Sequence, residues 1–280
     1  MTNRRKFLQT AGSWALGSAL LPEAWAASTR PVGIQLYSVH EPLAKDPKGV
    51  LKRLAAIGYQ ELESFQGDQG VYFGMKPTEF KKFVGDLGMT LRASHVGIDQ
   101  DFEKTVGEAG EAGIKYLICP HLAESKRPDL DGYKRVAQEF NRLGEICRKN
   151  GIQFGYHNHG YPFEKTGGQV PYDLLIQQTD PQLVAFEMDL YWVVRGGADP
   201  VGYLKKYPGR FPLWHAKDMA KNNQDQNTEL GKGKIDFKTI FQNAQKSGLK
   251  YAFLEHEDNY SPSLYEALKY DYAYLKNTKY

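Results

Sequence analysis

Residues 132–159 read GYKRVAQEFNRLGEICRKNGIQFGYHNH, and this stretch decides the fold. From Gly132 to Lys149 the apolar residues recur with helical period, and Gly151 supplies the stop. A short apolar run starts at once at Ile152 and ends in Tyr156-His157-Asn158-His159. A helix stopped by glycine and followed directly by a buried strand is the helix-to-strand turn of a parallel sheet.

The same rhythm runs through the rest of the chain. Apolar runs that read as strands start near Val32, Gln60, Thr90, Lys115, Ile152, Leu183, Phe211 and Tyr251. Segments of helical period lie between them: Lys48–Ile57 ending at Gly58, Pro77–Leu87 ending at Gly88, and Phe102–Ala112 ending at Gly113. A further helix opens at Asp199-Pro200, Asp236–Ser247 ends at Gly248, and Ser263–Leu275 closes the chain. Eight strand–helix units in about 250 residues predict a (β/α)8 TIM barrel in one domain, residues 28–280. An open doubly wound sheet is the alternative, but no Gly-x-Gly-x-x-Gly follows the first strand. No linker and no second composition regime divides the chain.

Composition narrows the function. The chain of 280 residues is 41% hydrophobic and 25% charged, which are globular proportions. Its net charge is +3. Arg4, Arg5 and Lys6 against Glu23 put +2 of this in the first 26 residues, leaving +1 on the body. A nearly neutral body lacks the basic field that binds phosphate backbones, so nucleic acid is not an expected partner. Cys119 and Cys147 are the only cysteines, and a bridge between a strand top and the far part of a long helix is not expected.

Residues 1–27 read as a signal peptide. A basic stretch, Asn3-Arg4-Arg5-Lys6-Phe7-Leu8, precedes the mildly apolar Ala11–Leu21, and Ala24-Trp25-Ala26 offers small residues for cleavage after Ala26. The segment resembles a twin-arginine signal, with Asn3 and Gln9 departing from its usual flanks. The apolar run is too short to span a bilayer. The expectation is an exported, periplasmic protein with no stable membrane insertion after cleavage.

In a barrel of this kind, chemistry lies at the C-terminal ends of the strands. Those ends carry Gln35-Leu36-Tyr37-Ser38, Glu61-Leu62-Glu63, Ser94-His95, Pro120-His121, His157-Asn158-His159, Glu187-Met188-Asp189, His215-Ala216-Lys217-Asp218 and Glu255-His256-Glu257. Of seven histidines, only His40 stands away from a strand end. Side chains alternate along a strand, so His157 shares a face with His159, Glu187 with Asp189 and His215 with Lys217. With that face inward, four adjacent strands offer His159, Asp189, His215 and Glu255 to one cavity. Two carboxylates and two imidazoles suit one divalent ion, with Mn2+ expected and Zn2+, Co2+ or Mg2+ as alternatives. Any one of these residues alone reads better as a hydrogen-bonded core or rim group; only the joint pattern carries the metal reading.

The segments Gln35-Leu36-Tyr37-Ser38, Tyr156-His157-Asn158-His159-Gly160-Tyr161, Glu187-Met188-Asp189-Leu190-Tyr191-Trp192 and His215-Ala216-Lys217-Asp218 together resemble the sugar phosphate isomerase/epimerase family. Gly196-Gly197-Ala198-Asp199-Pro200 and Gly231-Lys232-Gly233-Lys234-Ile235-Asp236 extend the resemblance to most of the body. The family belongs to the xylose-isomerase-like barrels, and the resemblance implies one catalytic divalent metal held by Asp189, His215 and Glu255. Relatives often carry His-Asn-His-x-x-Glu-Phe after the fifth strand, where this chain has Pro162 in place of the glutamate. Either His159 or Glu164 completes the ligand set, and His159 is the expected one.

A metal in a sugar-sized cavity acidifies the carbon next to a carbonyl, and the resulting enediolate is stabilised by the cation. Return of the proton elsewhere gives isomerisation or epimerisation, whereas loss of a leaving group gives elimination. The resemblance makes Glu255 both ligand and base. His157 is the alternative base, Lys217 an oxyanion stabiliser, and Glu63 and His95 hold hydroxyls. Tyr37, Trp192 and Trp214 line a sugar ring or pack the barrel. No basic cluster marks a phosphate site; Lys232-Gly233-Lys234 comes nearest. The expected substrate is therefore a neutral sugar or keto-sugar. Alternatives are a 3-keto-glycoside lyase or hydrolase, a non-catalytic sugar-binding protein motivated by Pro162, and an endonuclease-four-like repair enzyme, which +1 disfavours. The outer helices show no clear extra apolar stripe, so a homo-oligomer is neither required nor opposed.

Overall fold

A computed structural model describes residues 30–98 and 101–279; the expected signal peptide lies outside the described residues. Eight parallel strands, Gly33–Gln35, Glu61–Phe65, Thr90–His95, Tyr116–Cys119, Gln153–His157, Val184–Asp189, Leu213–Ala216 and Tyr251–Leu254, close into a barrel. Closure is made by the first strand pairing with the eighth, Gly33 opposite Phe253 and Ile34 opposite Leu254. A parallel pair needs a crossover between its strands, and helices supply it. Every strand starts within two residues of its predicted start.

The helix termini follow from local chemistry. Asp46 accepts the Gly49 N–H and opens Pro47–Ile57; Asp129 accepts the Gly132 N–H and opens Leu130–Lys149. Asp199 caps Pro200–Lys206 in the same way. The short helices His40–Lys45 and Leu190–Arg195 are not among the expected segments, and two longer elements also differ from expectation. Pro171–Gln178 is an eight-residue helix whose end carries no glycine stop, so the pattern that marked the others was absent. The predicted Asp236–Ser247 helix is two short pieces, Phe237–Phe241 and Ala244–Ser247, separated at Gln242-Asn243. Cys119 and Cys147 are buried and form no disulfide. Among the described residues, no helix is long and apolar enough to cross a membrane.

The bore is filled in layers. Ala93, Tyr116, Ile118, Ala185, Leu213 and Phe253 form an apolar plug inside the barrel, separate from the larger core between barrel and helices. Glycine is required where these side chains cross the axis. A Cβ on Gly155 would lie 2.5 Å from Ile118 Cδ1, and one on Gly33 2.6 Å from Phe253 Cδ1. Two residues further along the same faces come His95, His157, Glu187, His215 and Glu255, one strand pleat nearer the open end. The plug therefore forms a dry floor beneath a polar layer.

Candidate metal centre

The polar layer contains two groups of four, and each consists of two imidazoles and two carboxylates. The upper group is His157, Asp189, His215 and Glu255; the lower is Glu63, His95, Glu187 and His215. Each group has one ligand atom per residue within 4.8 Å of the others. His215 belongs to both through its two ring nitrogens, and every member of the two groups is buried.

In the upper group, His157 Nε2 lies 3.5 Å from Asp189 Oδ2. His215 Nδ1 lies 3.8 Å from Asp189 Oδ2 and 3.2 Å from Glu255 Oε2. The other Asp189 oxygen accepts the Trp192 N–H at 2.9 Å, at the start of Leu190–Arg195. Asn158 clamps the Asp189 backbone, donating to its carbonyl and accepting its N–H, both at 3.2 Å. Asp189 Oδ2 and His157 Nε2 are left buried with no hydrogen-bond partner. Native interiors rarely leave such atoms unsatisfied, and a cation satisfies both. These residues fit a divalent ion.

The lower group is more closely paired, although Glu63 Oε1 and Glu187 Oε1 are also buried without a hydrogen-bond partner. His215 Nε2 lies 2.6 Å from Glu63 Oε2, which also accepts from Gln35 Nε2 at 2.9 Å. His95 Nε2 lies 2.7 Å from Glu187 Oε2. Burial and the neighbouring Glu187 push the Glu63 carboxyl up to about 8, against the pull of His215. Burial also opposes charge on Glu187, but His215 and His95 outweigh it and hold that carboxyl well below the usual range. The two carboxyls are thus shifted in opposite directions, the arrangement of a coupled carboxyl pair. With Nε2 anchored on Glu63, the Nδ1 edge of His215 faces the upper group. A carboxylate behind a histidine fixes its tautomer and orientation as a ligand.

Lys217 lies 3.3 Å from Glu255 Oε2 and 2.6 Å from Glu257 Oε2 and is almost fully buried. Burial disfavours its charge, but Glu255 and Glu257 outweigh that and raise its basicity above the usual value. The same ammonium and His215 outweigh burial on Glu255 and hold its carboxyl ionised. The opening above is a cavity of about 710 Å3 lined by residues that include Tyr37, His95, His157, His159, Trp192, Glu255 and Glu257.

The structure brings most of the expected residues together but exchanges some of their positions. His157, not His159, joins Asp189, His215 and Glu255. His159 lies one pleat higher on the cavity wall, 5.2 Å from the Trp192 ring and 5.9 Å from Tyr161 between centroids. Burial and the adjacent His157 push its imidazole down to about 3, so it is neutral. Glu164 is exposed, and Pro162 sits in a short 3-10 turn, Tyr161–Phe163. His157 has Nδ1 3.4 Å from the Pro120 carbonyl and its unpartnered Nε2 3.5 Å from Asp189 Oδ2. Glu63 is below the cavity rather than on its wall, and Trp214 points outward onto Phe241. His95 and Trp192 do line the cavity. Glu187, Asn158, Gln35 and Glu257 carry parts of the site to which the sequence reading gave no role. For Glu187 the signal was present, because it shares an inward face with Asp189.

The glycine-rich loop after the seventh strand is committed elsewhere. Asp218 accepts N–H groups from Met219, Gly231, Gly233 and Ile235 at 2.8–3.2 Å. The backbone donors around Lys232-Gly233-Lys234 are thus occupied, Gly231 and Gly233 by this carboxylate and Lys232 and Lys234 by the Glu229 and Met219 carbonyls, and none is left to cradle a phosphate. Among the described residues, no lysine or arginine lines the cavity.

A closed parallel barrel with a histidine–carboxylate group at the C-terminal mouth defines a class, and residues 51–277 match the xylose isomerase-like TIM barrel family. The chain belongs to that family. It is similar to a sugar phosphate isomerase/epimerase of known structure from Parabacteroides distasonis, with 30% identity, a TM-score of 0.79, and coverage of 91% of this chain and 98% of that one. It is 30% identical over 178 residues to the inosose dehydratase of Lacticaseibacillus casei, covering 58% of this chain and just over half, 55%, of that protein. The fold is shared with the IOLI protein crystallised with a zinc atom, at 14% identity and a TM-score of 0.71 over 87% of this chain and 96% of that one.

Proposed function

We propose that the protein is a divalent-metal-dependent enzyme acting on a neutral sugar or keto-sugar, with His157, Asp189, His215 and Glu255 as metal ligands. The observation that carries this reading is the pair of buried, unpartnered atoms, His157 Nε2 and Asp189 Oδ2, 3.5 Å apart beside His215 and Glu255. When bound, the ion supplies Lewis acidity to a substrate carbonyl and acidifies the neighbouring C–H bond.

The side chains do the rest. Glu255, ionised and on the cavity wall, takes the proton; Lys217 holds it in place and stays charged throughout. Glu257, on the cavity wall 2.6 Å from the same ammonium, gives a proton of its own to the second carbon or face, and solvent reprotonates it and deprotonates Glu255 between turnovers. Trp192 and His95 position the ring, and the apolar plug keeps water from entering beneath. The cation-free lining favours an uncharged substrate. Return of the proton to carbon gives isomerisation or epimerisation. Elimination is the second reading, favoured by similarity to a dehydratase, and it includes a 3-keto-glycoside lyase or hydrolase. A purely sugar-binding role loses its motive, because Pro162 lies outside the ligand group. We further propose export through residues 1–27, tested by the N-terminus of protein recovered from the periplasm.

Elemental analysis of the purified protein tests the core of this reading. About one divalent ion per chain in wild type, absent from Asp189→Asn, supports it. No ion after soaking in Mn2+ or Zn2+ overturns it. Deuterium incorporation into keto-sugars incubated with loaded protein in D2O then separates proton transfer from binding alone.

A further inference from the structure

The metal group stands on strands five to eight, but the cavity above it reaches across the mouth. In the ring order the first strand faces the fifth and the second faces the sixth. Tyr37, just beyond the first strand, and Phe65 and Gly67-Asp68, at the end of the second, line the same cavity as Trp192 and Glu255. A single sugar ring has about twelve heavy atoms. At roughly 30 Å3 for each water-sized unit, an upper bound for bonded atoms, it fills no more than about half of the 710 Å3.

The far half is built rather than merely open. Tyr37 is 41% exposed, yet it is fixed from several sides. Its ring stacks on His40 at 4.5 Å and 12°, and Phe65 meets it edge-on at 5.2 Å. His40 Nδ1 lies 2.8 Å from the Tyr37 carbonyl, and the Tyr37 N–H donates to Gln35 Oε1 at 3.0 Å. Phe65 is itself braced by Phe73 at 5.6 Å. Isolated exposed aromatics are common on protein surfaces. This one is pre-ordered, lines the same cavity as His157 and Glu255, and shares that lining with a carboxylate, Asp68, able to accept hydrogen bonds from hydroxyls. Pre-ordering removes the entropic cost of arranging the ring when a ligand stacks on it.

We propose that Tyr37, Phe65 and Asp68 form an outer subsite for a second, uncharged ring, so that the preferred substrate is a neutral glycoside or disaccharide rather than a free monosaccharide. The reacting ring occupies the Trp192 and Glu255 side, and the second ring stacks on Tyr37. This rests on the metal-dependent sugar enzyme reading and names its substrate class.

The test is calorimetric titration of Mn2+-loaded protein with matched probes: glucose and galactose, their methyl glycosides, and the two-ring cellobiose, maltose, lactose and phenyl glucosides. At least one two-ring probe should bind about tenfold tighter than its one-ring counterpart. In Tyr37→Ala that ratio should fall to about one with metal content unchanged, and Tyr37→Phe should restore it. Equal affinity for one- and two-ring probes, a ratio unaffected by Tyr37→Ala, or no binding by any two-ring probe overturns the subsite. Failure of wild type to load metal overturns the underlying reading instead. A ring-number preference that persists in metal-free protein keeps the subsite while that reading falls.

Discussion

The upper and lower groups in the barrel mouth contain the same chemistry in different states. Each has two carboxylates and two histidines, and they share His215. In the lower group the imidazoles meet carboxylates at 2.6 and 2.7 Å, so the ring nitrogens are paired, although the second oxygens of Glu63 and Glu187 are buried without a partner. In the upper group the closest approach of His157 to Asp189 is 3.5 Å, and both facing atoms lack a partner. Residue type alone therefore does not distinguish a ligand set from an internal support. The state of the imidazoles separates the two groups: the lower ring nitrogens are closely paired with carboxylates, whereas His157 Nε2 in the upper group faces Asp189 Oδ2 unpaired, and buried charge is tolerated only when paired or coordinated.

Substitutions in the two groups should part accordingly. His215→Ala removes the residue common to both, and metal content should fall to background by elemental analysis, with activity lost in parallel. Retained stoichiometric metal would refute the upper group as the ligand set. Glu63→Gln touches only the support, and divalent affinity should drop about 10- to 100-fold while one ion still binds at saturation. Calorimetry showing unchanged affinity would mean that the lower group serves folding alone.

Acidity sharpens the same contrast. Burial lowers the basicity of His215, but Glu187, Glu255 and Glu63 outweigh it and hold the imidazole protonated well above its ordinary range. Nδ1 must lose that proton to bind a cation, so metal loading releases a proton below the raised value. Affinity should then fall about tenfold for each pH unit lowered. Titrations between pH 6 and 8 in weak buffer, read by proton release, check both sign and slope. The smallest effect is expected at His159. His159→Ala should keep full metal content with affinity changed less than about threefold, since the side chain stands on the cavity wall rather than in the upper group. Loss of metal in that variant would restore it as a ligand.

Much of this architecture was legible in one dimension. Glycine stops and proline starts are local rules, and they marked the strand starts and most helices. Where the local marks were missing, as at the end of Pro171–Gln178, the element was missed; where Gln242-Asn243 interrupts Asp236–Ser247, one helix was read for two. Alternation along the strands put Glu187 with Asp189 and His215 with Lys217 on shared faces. It put His157 and His159 on a shared face as well, and could not choose between them.

The sequence by itself determined the barrel, the inward polar faces and the kinds of groups at the mouth, because backbone periodicity and turn chemistry act between near neighbours. Tertiary structure alone decided depth. How far each strand runs before it leaves the ring depends on the stagger of all eight strands and on what fills the bore beneath. The register sets Glu63 opposite Ala93 and His157 opposite Glu187, while His159 lies beyond the strand on the cavity wall. Those positions place Glu63 beneath the cavity, His159 on its wall and His157 within the upper group, among residues that the sequence presents as equivalent.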